Sequence, residues 1–144
     1  MLRRLEYLLD TDTCIYLLKG HQKVKDKVAQ AGVEALSVAI VTVGELYFGA
    51  YNSARVDANL EKVRAFVSPP GPTILAIDDA AVECFGRFKA ELRRAGTPIG
   101  DVDLLIAGVA ASRGLTVITN NIAHFQRVPG ISLETWLAPL DQSP

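Results

Sequence analysis

Surplus charge is almost absent from this chain. Its 15 Lys and Arg nearly balance its 16 Asp and Glu, so no global basic field draws it to nucleic acid or to an anionic surface. Any grip on phosphates must come from local patches or a bound cation. Long apolar runs are also absent: no segment approaches the roughly 20 residues that a membrane span needs. Glu6 and Asp10 interrupt the stretch after Arg3 and Arg4, which does not read as a secretory signal. Cysteine is scarce. Cys14 and Cys84 stand singly in apolar helical patterns, with no Cys or His at ligand spacing. That excludes a disulfide scaffold and a thiolate zinc site, and points to reduced core thiols in a cytoplasmic protein. Repeats and low-complexity tracts are missing, and Pro69-Pro70-Gly71-Pro72 is a loop too short to separate domains.

What remains is a chain of 144 residues, 49% hydrophobic, enough for one domain with its own core. We expect that domain over 1–138, with a polar tail at 139–144. Leu5–Leu9, Ala35–Ile40, Thr73–Ile77 and Leu115–Thr119 read as strands, with a last extended piece over Ile131–Leu133. Helices are expected over Thr13–Lys19, Gln22–Ala31, Thr42–Ser53, Val56–Val67, Asp79–Ala95 and Asp101–Arg113, with a helical turn at Ile122–Phe125. Ala81, Phe85, Phe88 and Leu92 share one face of the Asp79–Ala95 helix, and Gly96 and Gly114 end their helices. Trp136 is expected to seal the C-terminal end onto the core. Alternating strands and helices with short connections define a three-layer α/β/α sandwich with a mostly parallel sheet.

Three acids stand where such a sheet collects ligands, at the carboxyl ends of strands. Asp10 closes the first strand, Glu45 follows the second, and Asp103 opens an apolar helix. Two carboxylates about 4 Å apart repel by roughly 4 kcal/mol at an effective dielectric of about 20, so such a cluster points to a divalent cation. The alternative for each is helix capping. Asp12 is assigned the cap of the first helix, leaving Asp10 free. Glu45 stands at capping-box spacing from Thr42, but Gly44 and Gly49 beside it suggest open space for something bulky. Asp101 and Asp103 point about 160° apart on a helix, so Asp101 is assigned the cap and Asp103 the ligand, with Ala107 and Ala111 above it allowing close packing. Thr119, Asn120 and Asn121 follow the fourth strand. They are ordinary turn residues or, equally, amides that hold a metal-bound water or a phosphate. His21 and His124 read as packing or surface residues. Arg87, Arg94 and Arg113 could touch phosphates, although pairs such as Glu83–Arg87 and Arg87–Glu91 would also explain that face.

Leu8-Leu9-Asp10-Thr11-Asp12, Val43-Gly44-Glu45-Leu46, Pro98-Ile99-Gly100 leading to Asp103-Leu104-Leu105-Ile106-Ala107, and Gly114 to Asn121 together resemble the PIN-domain nucleases. Within them the chain resembles the VapC-type toxins of bacterial toxin–antitoxin pairs, from about Tyr7 to Trp136. The resemblance implies an endoribonuclease dependent on Mg²⁺ or Mn²⁺, with tRNA as substrate and inhibition of translation as outcome. It also implies a homodimer silenced by a VapB-type antitoxin. Acids at the positions of Asp10, Glu45 and Asp103 would hold the metal, and Asn121 takes the place of a fourth acid or Asn. Asp12 and Asp101 depart from the pattern as additional acids, and with Thr119 they are supporting candidates. Phosphodiester hydrolysis needs an activated water and a sink for developing charge, which carboxylate-held Mg²⁺ supplies. Asp10-Thr11-Asp12-Thr13 also resembles the nucleophile motif of haloacid-dehalogenase phosphatases, where Asp10 would form an aspartyl-phosphate. A third reading is a PIN fold kept as a non-catalytic RNA- or protein-binding module.

Overall fold

A computed structural model describes residues 4–137, so the polar tail expected at 139–144 lies outside the described residues. Five strands form one sheet: β1 (Tyr7–Leu9), β2 (Leu36–Ala39), β3 (Thr73–Leu75), β4 (Thr116–Ile118) and β5 (Ser132–Glu134). The order is β3-β2-β1-β4-β5 and every pairing is parallel. The sheet therefore grows outward from β1 in both directions. The reversal between β2 and β4 places a crevice at the carboxyl end of β1, where open α/β sheets bind ligands.

The helices are α1 (Thr11–Leu18), α2 (Gln22–Ala31), α3 (Ile40–Tyr51), α4 (Val56–Phe66), α5 (Asp79–Ala95), α6 (Asp101–Arg113) and α7 (Ile122–Phe125). A short 3₁₀ turn over Val33–Ala35 precedes β2. The pleat of β1 divides the core in two. Leu8 faces a cluster that includes Phe88, Leu104, Ile106, Val117 and Phe125. Leu9 faces one built from Cys14, Val38, Leu46, Leu60, Ile118 and Trp136. Both leucines are fully buried, each contributing about 1.5–3 kcal/mol by its removal from water. Trp136 seals its end as expected. It is buried, meets Tyr7 edge-on and donates from Nε1 to Glu134 at 2.8 Å.

α5 and α6 have the predicted bounds and form one tightly packed pair. Ala81, Phe88 and Leu92 are buried and Phe85 is half-buried. Gly96 and Gly114 stand in the left-handed region at φ 76° and 68°, a conformation that costs glycine little. The close packing expected at Ala107 and Ala111 holds at Ala107, which is fully buried, but not at Ala111, and a second close approach, to α5, falls on Gly108. Ala111 is exposed, whereas a methyl group added at Gly108 would stand 2.5 Å from the Ala81 carbonyl oxygen and 3.2 Å from the Phe85 nitrogen. The expected ion pairs along α5 do not form among the described residues. Arg87 turns instead onto the Phe88 ring, 4.8 Å from its centroid, and toward the Cys84 sulfur.

Candidate active site

The end of β1 leads straight into α1, and that junction sets the position of Asp10. Its backbone N–H donates to the Ile118 carbonyl at 3.0 Å, tying it to β4. Its Oδ1 accepts from the Thr13 N–H at 2.8 Å. Asp10, not Asp12, is therefore the helix cap. The helix begins at Thr11, so the capping position falls on the residue that ends the strand. Capping does not exclude a second role, because only one carboxylate oxygen is engaged by that backbone bond. Asp10 is 2% exposed. Burial raises its pKa above the ordinary carboxylate value, hydrogen bonds from Thr119 and Thr13 draw it back, and the nearby charge of Asp12 adds to the rise. Thr119 is itself fully buried at the end of β4.

Asp103 lies in the first turn of α6 with 27% of its side chain exposed. Burial again raises its pKa, opposed by His124 and reinforced by Asp12. Asp12, exposed in the first turn of α1, thus adds a small repulsion to each of Asp10 and Asp103. Asp101 does not cap α6: Gly100 occupies that position, and Asp101 already lies within the helix. Its carboxylate meets Lys89 of α5 at 3.0 Å on the surface.

The capping-box alternative for Glu45 does not arise, because α3 starts at Ile40, with Ala39 before it and no side-chain cap. Thr42 is buried and its hydroxyl meets that of Thr11 at 3.2 Å, joining the first turns of α1 and α3. Glu45, one turn further on, is exposed. Gly44 and Gly49 beside it are also exposed, with no atom near the place a side chain would fill.

Asn121 caps α7 at the edge of the site. Its N–H donates to the Thr119 hydroxyl at 2.8 Å, and its side-chain amide contacts His124 Nδ1 at 2.7 Å. His124 Nδ1 is also 3.9 Å from Asp103 Oδ2. His124 is a partly exposed surface residue, as expected, and its ring also stands close to Asn121 and Asp103. The three-residue spacing from Asn121 could have found the first of these contacts, since a single helical turn after a strand brings those side chains together. Arg113 lies elsewhere, 3.7 Å from Asp78.

The expected convergence of Asp10, Glu45 and Asp103 is not found: among the described residues no three His, Cys, Asp or Glu side chains group to hold a metal ion, and Glu45 stands exposed on α3. Magnesium does not require three such ligands, since it commonly takes one or two carboxylates and keeps several waters. Two buried or half-buried carboxylates with pKa values raised by desolvation, flanked by hydroxyl and amide oxygens, form a hard-oxygen donor set of that kind. A cation between them would offset the cost of burying their charge.

The PIN domain model matches residues 7–131, and the chain belongs to that family. The chain is 39% identical over 132 residues to the tRNA(fMet)-specific endonuclease VapC of Salmonella typhimurium, covering 92% of this chain and 98% of that protein. It is 37% identical to the tRNA(fMet)-specific endonuclease VapC of Shigella flexneri over the same shares. Its backbone superposes with a TM-score of 0.86 and 38% identity on the crystal structure of DNA-bound VapBC from Salmonella typhimurium, covering 92% of this chain and 98% of that one. Within the PIN domains, the chain stands among the VapC proteins. The phosphatase resemblance of Asp10-Thr11-Asp12-Thr13 finds no support in these matches.

Proposed function

We propose that this protein is a metal-dependent endoribonuclease toxin that cuts tRNA, inhibits translation and is neutralised by a VapB-type antitoxin. The observation that carries the reading is the pair Asp10 and Asp103, one at the end of β1 and one in the first turn of α6, both desolvated and both near the charge of Asp12. The names of the VapC relatives support RNA, and tRNA in particular, as the substrate. Asp10 and Asp103 would hold Mg²⁺ or Mn²⁺, which supplies a more acidic water and a counter-charge for the phosphate. Glu45, exposed and with no side-chain hydrogen bond or ion pair among the described residues, would orient the attacking water and take its proton. Thr119 would keep Asp10 in place, and Asn121 with His124 would hold the Asp103 side of the site.

Two surfaces support the partners. Ile40, Phe48 and Tyr51 stand on one face of α3 at 48%, 64% and 62% exposure, an apolar stripe suited to a homodimer. A cleft of about 310 Å³ between α1, α3 and α4, lined by Ile15, Leu18, Ala50 and Val63 among others, suits an apolar segment of an antitoxin. Sequencing RNA ends after brief expression tests the reading. New ends confined to tRNA, absent with Asp103→Asn and suppressed by the antitoxin, are expected. No new ends would refute it, and so would ends unchanged by Asp103→Asn.

A further inference from the structure

The net charge of the chain is −1, yet cations collect around one segment. The connection from α5 to α6, which delivers Asp103, is gripped from two sides. Lys89 reaches from α5 to Asp101 at 3.0 Å. Arg127, beyond α7, donates from Nη1 to the Pro98 carbonyl at 3.0 Å. Arg93 and Arg94, exposed in the last turn of α5, make no side-chain hydrogen bond or ion pair with any described residue. Arg93 and Arg94 line a shallow groove with Lys89 over a floor of Gly86 and Ala90. A helix C-terminus favours nearby cations, which accounts for one arginine in the last turn. It does not account for a second unpaired arginine, nor for Arg127, which spends its guanidinium on the neutral Pro98 carbonyl in the connection that follows α5.

We infer that Arg93, Arg94 and Arg127 form a phosphate-binding collar that grips the RNA backbone beside the cleaved bond, on the Asp103 side of the site. The inference rests on the ribonuclease reading above and adds where the substrate strand runs. Arg127 is fixed by Pro98 five residues before Asp103. Arg93 and Arg94 extend the positive surface along α5, with Lys89 linking the groove to the first turn of α6. The sites are sequence-independent, since guanidinium–phosphate contacts position a strand without reading bases. Of the three arginines singled out in the sequence only Arg94 belongs to the collar: Arg87 is turned onto Phe88 and Arg113 lies beside Asp78.

Binding of fluorescently labelled tRNA, followed by anisotropy in EDTA across a salt series, tests the collar. Each phosphate contact adds about one to the slope of log K against log salt. The Arg93→Ala/Arg94→Ala double variant should shrink the slope by about 2 and weaken binding about tenfold or more at low salt. Arg127→Ala should shrink it by about 1, and Arg93→Lys/Arg94→Lys should keep most of the wild-type slope. Circular dichroism should be unchanged in all of them. A double alanine variant that binds with wild-type slope and affinity, while the wild type still cuts RNA, overturns the collar alone. A wild type that neither binds nor cuts RNA overturns the ribonuclease reading with it.

Discussion

Addition of Mn²⁺ should stabilise this protein at neutral pH and should do little near pH 4. Asp10 and Asp103 both have folded-state pKa values raised by burial, so the folded protein holds those protons more tightly than the unfolded chain. Their contribution to stability is present at acid pH. It is lost as pH rises through the raised folded values, and it stays lost at neutrality. A cation bound by the ionised pair reverses that loss. At a free concentration of about 100 times its dissociation constant, a ligand that binds only the folded state adds about 2.7 kcal/mol. Unfolding entropy of about 2.1 cal/mol/K per residue, taken over 144 residues, is about 0.3 kcal/mol/K. The melting temperature should therefore rise by about 9 °C. Differential scanning fluorimetry with and without Mn²⁺ at the two pH values measures this directly. Asp10→Asn retains an oxygen for the Thr13 N–H, so the cap survives while the charge goes. Combined with Asp103→Asn it should abolish the shift. An equal shift in that double variant, or none in the wild type at saturating Mn²⁺, would refute the reasoning.

Other consequences concern single positions. Asp10→Ala should be less stable than Asp10→Asn by about 1 kcal/mol in urea, because only alanine removes the acceptor for Thr13; equal midpoints would remove the capping role. Gly108→Val should cost about 2 kcal/mol or more by forcing α5 and α6 apart. Gly86→Ala, with open space at its side chain, should gain up to about 1 kcal/mol by helix propensity; urea midpoints moving the same way for both would contradict the packing. Glu45→Gln should slow tRNA cleavage about 10²- to 10⁴-fold while changing stability by less than about 0.5 kcal/mol, as an exposed residue should; undiminished cleavage would remove it from the chemistry. Phe48→Glu should convert a dimer to monomer in sedimentation velocity, and an unchanged distribution would clear α3 of that role.

The fold was legible because its signals are periodic. The face of α5 at Ala81, Phe85, Phe88 and Leu92, the stops at Gly96 and Gly114, and the alternation of short apolar strands with helices all act locally. The errors lie at helix starts. A cap is defined by where the backbone turns, and Asp10, Asp12, Asp101 and Gly100 are separated by one or two residues. Composition alone could not say which of them stood just outside a helix. Gly108 was missed for a different reason: its purpose is a carbonyl on α5, 27 positions earlier in the chain, which no local pattern reveals. The acids Asp10 and Asp103 could be found from their places after a strand and at a helix start. The proximity of Asp12 to both, and the approach of His124, depend on the way α1, α6 and α7 meet at the edge of the sheet. The 3₁₀ turn before β2 likewise depends on closing a tight connection, not on a distinctive motif.

Cleavage of purified tRNA by the purified protein, with Mg²⁺ or with EDTA, bears most directly on the chemistry of the edge. Cleavage should require the metal and should fall by at least about a hundredfold in Asp10→Asn and in Asp103→Asn, with both variants folded. Cleavage that persists in EDTA, or at the wild-type rate in either variant, would show that these two carboxylates do not hold the ion that does the work.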